Sequence, residues 1–221
     1  MTAGFMTFVF LLFLFSKKFF ELYLEYRNLQ YIKAHRSEVP QTFQHKVTLD
    51  EHQKAANYSI AQIKVSTIFD SLDFLVLLLW TLGGGLNWAY QMADNCHQGP
   101  IVTGLIFFTV FGTIEFLIHF PQAIYHTFFF EEKWGHNRTT IKTFILDQFK
   151  SLLLTLVVGF PVLAGILWFM QESGICWWIY VWCFLCLIQL IMLYLYPQFI
   201  APLFNKFTPL AEGELKGQLE T

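Results

Sequence analysis

Five apolar stretches thread this chain, and the loops between them alternate between rich and empty in Lys and Arg. The segment after the first stretch carries Lys17, Lys18, Arg27, Lys33, Arg36, Lys46, Lys54 and Lys64. The loop before the fourth carries Lys133, Arg138 and Lys142, with Lys150 just inside the stretch, and the tail carries Lys206 and Lys216. The loops around Asp94–Gly99 and Gln171–Gly174 carry none. All 14 basic side chains therefore fit on one face of a membrane. Basic residues resist translocation and collect in cytoplasmic loops. The pattern predicts an all-α polytopic membrane protein with five transmembrane helices, its N-terminus outside and its C-terminus in the cytoplasm.

Composition agrees with that reading. Hydrophobic residues make up 55% of the chain and charged residues only 14%, which is too apolar for an ordinary soluble domain. The formal net charge of -2 and the lack of a basic–aromatic patch give no reason to expect nucleic acid. No positive charge precedes the first apolar run and no small-residue cleavage site follows it, so an uncleaved anchor is expected.

The spans are placed at about 3–26, 68–90, 101–125, 145–170 and 175–196, with a cytoplasmic helical segment at about 37–67. The first apolar run, Ala3–Phe15, is shorter than the roughly 20 residues a crossing needs. Its helix must therefore pass Lys17 and Lys18, whose ammonium groups can snorkel to the interface. Thr48 followed by Glu51 reads as a capping box at the start of a polar helix that continues into the second span. Pro121 is expected to kink the third span, Gly159 and Pro161 to interrupt the fourth, and Pro197 to end the fifth.

Polar groups inside spans are the candidate functional residues. Glu115 and His119 are four apart in the third span and share a helical face. Asp70 and Asp73 sit at the cytoplasmic end of the second. All four read as the lining of a polar cavity; the alternative is a contact between helices for Glu115 and His119, and charge near a helix entry for Asp70 and Asp73. Asp147 and Lys150, three apart, read as a local ion pair. Cys96 and Cys176 fall in the two outer loops and are a candidate disulfide on the oxidising side.

Three segments carry a resemblance. They are RSEVPQTFQHKVTLDEHQKAANYS at 36–59, FFFEEKWGHNRTTIKTFILDQFKSLLL at 128–154 and YPQFIAPLFNKFTPLAEGELKGQLE at 196–220. In this order they resemble the N-terminal membrane region of the type I zinc CAAX prenyl protease family. The resemblance implies part of a membrane-embedded zinc metalloendopeptidase, in which a ring of helices encloses a chamber. It implies prenylated or membrane-protein substrates, a bacterial inner membrane or endoplasmic reticulum membrane, and lipid as the surrounding partner. Asn137, Arg138, Asp147, Asn205 and Lys206 match family segments and are candidate structural or chamber-mouth residues. Thr139 or Thr140 can cap the fourth span.

The zinc motif is missing. A zincin helix needs H-E-x-x-H, two ligands one turn apart with a general base between them. No His in this chain is followed by Glu. The expectation is thus no catalytic residue, metal ligand or cofactor in the chain itself, with zinc in the complete enzyme. The protease half would be supplied by the same gene or by a separate chain, and this chain would be a truncated form, a gene fragment or one part of a split protein. The rival readings are a transporter or channel subunit, with Glu115, His119, Asp70 and Asp73 lining its path, and a structural membrane partner protein.

Overall fold

The computed structural model describes residues 3–205 and 207, and among them every regular element is helical. The first helix, α1, spans Ala3–His35. It is followed by a short 3-10 turn at Gln41–Phe43 that opens on Pro40. The second, α2, spans Leu49–Thr81 as one unbroken helix. Its N-terminus is closed as the residue types dictate. Thr48 accepts from the Glu51 backbone, and the Glu51 carboxylate accepts from the Thr48 N–H at 2.8 Å. The Thr48 N–H, then the Thr48 hydroxyl, both donating to it, hold the Glu51 carboxyl below the usual range, so this half of the cap stands at neutral pH and is lost as pH falls through that lowered value.

The chain then breaks at Gly83–Gly84 and bends by 54° into α3, Gly85–Asp94. This interrupts the segment 68–90, which the sequence reading treats as continuous. Gly84 adopts φ +78°, a left-handed conformation that L side chains rarely take. A Cβ on Gly83 would lie 2.5 Å from the Leu79 carbonyl oxygen, so the turn folds directly onto the end of α2.

Three further long helices follow, each widened by a π turn. The first is α4, Pro100–Tyr125, then a π turn at His126–Phe130 and the short α5, Glu131–Trp134. Pro121 sits inside α4 without ending it. Next comes α6, Ile141–Leu154, a π turn at Thr155–Gly159, and α7, Phe160–Glu172, with Pro161 in its first turn. Thr140 caps α6 by accepting from the Thr143 N–H at 3.1 Å. The last is α8, Trp177–Leu195, a π turn at Tyr196–Ile200, and α9, Ala201–Phe204. Helix therefore continues past Pro197. A proline lacks the N–H that an α-helical register needs, and the π turn takes it in without ending the helix.

These three stretches, Pro100–Trp134, Ile141–Glu172 and Gly174–Phe204, are long and apolar enough to cross a membrane. The bent pair α2–α3 makes a fourth if it is one span. α1 is not among them, because Lys17, Lys18 and Glu21 enter before a full span is complete.

The described residues form two compact units, one containing the chain up to Ala89 with Glu115–Asn137, the other Tyr90–Ile114 with the chain from Arg138. Each has little interior. The buried apolar residues are Ala56, Trp80, Ala89, Ala93, Phe130 and Ile200, and large side chains such as Phe13, Leu117, Leu190 and Leu193 lie exposed. Apolar surface facing outward over helices of this length suits an acyl environment, where helices associate through close packing and polar contacts. In the second unit small residues provide that closeness. A Cβ on Gly104 would lie 2.7 Å from Leu167 Cδ1 and one on Gly165 2.9 Å from Phe184 Cζ, so α4 and α8 both approach α7 at glycines.

Candidate functional site

Within the first unit, α2 and the second half of α4 run antiparallel, and polar side chains join them in rungs. Seven residues separate Asp73 from Trp80, and seven separate Glu115 from Gln122. Seven residues are about two helical turns, so each pair lies on one stripe. The Trp80 indole N–H donates to Glu115 Oε1. Two turns away, Gln122 Nε2 donates to Asp73 Oδ1 at 3.0 Å. One turn beyond, Phe69 and Tyr125 meet edge to face with centroids 5.8 Å apart.

His119 lies between the two polar rungs. Its Nδ1 is 2.8 Å from the Glu115 carbonyl oxygen and 3.4 Å from Glu115 Oε2, and its Nε2 is 3.3 Å from Asp73 Oδ1. Both ring nitrogens therefore face oxygen acceptors. A neutral imidazole donates from one nitrogen only. The arrangement is satisfied when the ring is an imidazolium, or when Asp73 carries the proton and donates it to Nε2. The side chains of His119 and Asp73 are 45% and 39% exposed and that of Glu115 is 25% exposed. The network is thus open on one side. It lacks the enclosure of a buried ion pair.

Asp70, one turn before Asp73, stands outside these rungs. Asp70 and Asp73 both line a cavity between α1 and α2, of about 370 Å³. Sequence reasoning brought Glu115 to His119 and identified Asp73, but missed Trp80 and Gln122. The signal was present: Gln122 is seven residues from Glu115, and Trp80 lies ten residues inside the predicted span, away from the interface where Trp usually sits.

A second polar cluster gathers around Glu131 on α5. Tyr58 on α2 donates its hydroxyl to Glu131 Oε1 at 3.0 Å. His136 Nδ1 lies 3.3 Å from Glu131 Oε2, and His126 Nε2 lies 3.6 Å from Glu131 Oε1. The Tyr58 ring meets Trp134 and His136 edge to face and is tilted on Phe130. Gly135, at φ +74°, turns the chain so that the His136 N–H reaches back to the Glu131 carbonyl at 2.9 Å. The segment FFFEEKWGHN thus wraps around one tyrosine of α2. Burial, then the Glu131 carboxylate, holds the Tyr58 hydroxyl above the usual phenol range.

The remaining candidates have local roles. Asn137 Nδ2 donates to Glu132 Oε2 at 3.0 Å. Arg138 is exposed at the start of the second unit. Lys150 donates to Asp147 Oδ1 at 3.0 Å and lies over the Phe204 ring, 5.5 Å from its centroid. Asn205 follows α9 in extended backbone, its N–H bonded to the Ala201 carbonyl at 3.0 Å. Lys206 lies outside the described residues. Cys96 and Cys176 are exposed free thiols. Among the described residues no three His, Cys, Asp or Glu side chains are grouped so that they could hold a metal ion.

The Tyr58 cluster is open to direct test. Tyr58→Phe keeps the ring contacts and removes only the donor to the Glu131 carboxylate. It should lower stability by about 1–3 kcal/mol, read as a fall in the melting midpoint of the detergent-solubilised chain. An unchanged midpoint would show that the cluster is held by its rings alone.

Comparison with known proteins matches residues 28–206 to the family model described as CAAX prenyl protease N-terminal, five membrane helices. The CAAX prenyl protease 1 homolog of Arabidopsis thaliana is 30% identical over 208 residues, covering 91% of this chain and 49% of the relative. CAAX prenyl protease 1 of Saccharomyces cerevisiae is 31% identical over 212 residues, covering 91% and 46%. The crystal structure of S. mikatae Ste24p matches with a TM-score of 0.84 at 31% identity, over 94% of this chain and 50% of that one. The chain spans about half the length of the curated relatives it matches.

Proposed function

This chain belongs to the CAAX prenyl protease family as its N-terminal membrane region, and on that premise we propose that it builds part of the intramembrane chamber and substrate entry of a zinc metalloendopeptidase. One observation carries the reading beyond the family match. The polar stripe Glu115–His119–Gln122 on α4 is bonded to α2 and yet open on one side, as a wall facing water would be. A stripe facing acyl chains would leave those exposed charges unsolvated at membrane depth.

The residues present do not fit the zinc site of such an enzyme. A catalytic zinc takes three protein ligands and a water, and the described residues offer no such group. No chemical step is therefore assigned to this chain. Its proposed part is to orient helices, keep a polar face wet and admit substrate. Prenylated or membrane-protein substrates, and the endoplasmic reticulum or bacterial inner membrane as location, follow from the family reading. The protease half is the implied partner.

The proposal keeps the five-span arrangement with the N-terminus outside. In it, α1 crosses by snorkelling Lys17 and Lys18, and α2 and α3 form one broken span.

Two outcomes are expected. Metal analysis of the purified 221-residue chain should find no stoichiometric zinc, and a peptidase assay should find no chelator-sensitive cleavage. Cleavage by this chain alone would overturn the assignment of the chemistry to another half. For orientation, an impermeant thiol reagent added to intact cells should label Cys96 and leave Gln53→Cys unlabelled. The reverse pattern would invert the topology.

A further inference from the structure

The cavity between α1 and α2 combines charges in a way the chamber reading does not use. On α1 it is lined by Leu14, Lys17, Lys18, Glu21 and Glu25, one face at helical spacing. On α2 it is lined by Asp70, Asp73, Phe74 and Leu77. Two contacts fix an antiparallel register: Phe15 meets Phe74 with centroids 5.4 Å apart, and Thr67 donates to Glu25 Oε2 at 2.7 Å. Leu14, Phe74 and Leu77 consequently lie toward one end, and Glu25 and Asp70 toward the other. The lining grades from apolar to charged along the helices.

Most of its charged groups already have partners. Lys17 pairs with Glu21 at 3.1 Å. Glu25 is bonded by Thr67, and Asp73 by Gln122 and His119. Lys18 and Asp70 are the exceptions. Lys18 is only 8% exposed and makes no hydrogen bond or ion pair among the described residues. Its stem is packed away while its ammonium keeps access to the cavity, and its charge acts on Asp70 without a direct bond between them. Asp70 likewise has no hydrogen bond or ion pair there. One cation and one carboxylate thus share a cavity of about 370 Å³, within the span of small-ligand sites at about 300–1,000 Å³.

We propose that this cavity binds the phosphoethanolamine headgroup of a membrane phospholipid, its phosphate on Lys18 and its ammonium on Asp70. A zwitterion gives each of these two groups a hydrogen-bonding partner at once, between charges that act on each other without direct contact. Four carboxylates against two lysines in the lining repel a headgroup that is anionic overall. A choline headgroup has no N–H to donate to Asp70, and a single aromatic residue, Phe74, does not make an aromatic cage. The apolar end, at Leu14, Phe74 and Leu77, receives the start of the acyl chains. The proposal rests on α1 and α2 meeting at the cytoplasmic membrane surface, which the thiol-labelling pattern reports independently of lipid binding.

The test is native mass spectrometry of the delipidated 221-residue chain, with phosphatidylethanolamine, phosphatidylcholine and phosphatidylglycerol of identical acyl chains added in turn. One phosphatidylethanolamine per chain should be retained at least fivefold over the other two. Lys18→Gln and Asp70→Asn should each abolish that preference, Lys18→Arg should keep it, and the exposed Lys64→Gln should leave it unchanged. Circular dichroism checks that each variant is helical. Should Lys18→Gln not fold, Asp70→Asn and the headgroup preference of the unmodified chain decide the matter. Equal retention of the three lipids, or a preference that survives Asp70→Asn, would overturn the proposal. Displacement of the lipid by soluble phosphoethanolamine at equal concentration would show a headgroup site that is not a lipid site.

Discussion

A charged side chain carried into a membrane must find a polar partner or water, and in this chain that requirement sets how α4 lies on α2. Glu115, His119 and Gln122 come from one stripe of α4, and Asp73 and Trp80 answer them from one stripe of α2. The two-turn spacing on each helix lets both ends of the stripe bond in a single antiparallel register. Slipping either helix by one residue would rotate its stripe by about 100° and break every rung. Apolar contacts alone impose no such register, because exposed Leu and Phe are equally at home against lipid. Few polar residues therefore specify the arrangement that many apolar ones permit.

The same economy governs the unit's other end. There Glu131 gathers Tyr58, His126 and His136, while Gly135 supplies the turn that brings His136 back. The cluster ties the start of α2 to the end of α4, and the polar rungs tie the same two helices further along. In the second unit, by contrast, helices meet at Gly104 and Gly165, where the absence of a side chain lets them close. Specific polar contacts mark the half of the chain that bears the candidate site, and glycine packing marks the other.

Much of this could be read from sequence where one local rule acts alone. The Thr48–Glu51 capping box, the Thr140 cap, the Asp147–Lys150 pair and the shared face of Glu115 and His119 each depend on residues within four positions of one another. What was hidden depends on a second helix or on a choice between near-equal backbones. Trp80 and Gln122 become meaningful only once α2 and α4 are aligned. Tyr58 is an ordinary aromatic residue until the segment around Glu131 folds over it. The π turns at His126–Phe130, Thr155–Gly159 and Tyr196–Ile200 keep helices running through or beside positions where proline and glycine suggest an end. The glycines at 83–85 were visible, but a bend of 54° inside an apolar stretch leaves hydropathy unchanged.

The account turns on the polar stripe of α4 facing water. A cysteine-accessibility scan from Ile114 to Ala123, in membranes with a small charged thiol reagent, measures that most directly. Reactivity should peak at positions 115, 119 and 122, with Leu117 near the minimum, and repeat with the helical period. A flat profile, or a maximum at Leu117 and Pro121, would place the stripe against lipid or buried protein and contradict a water-lined wall.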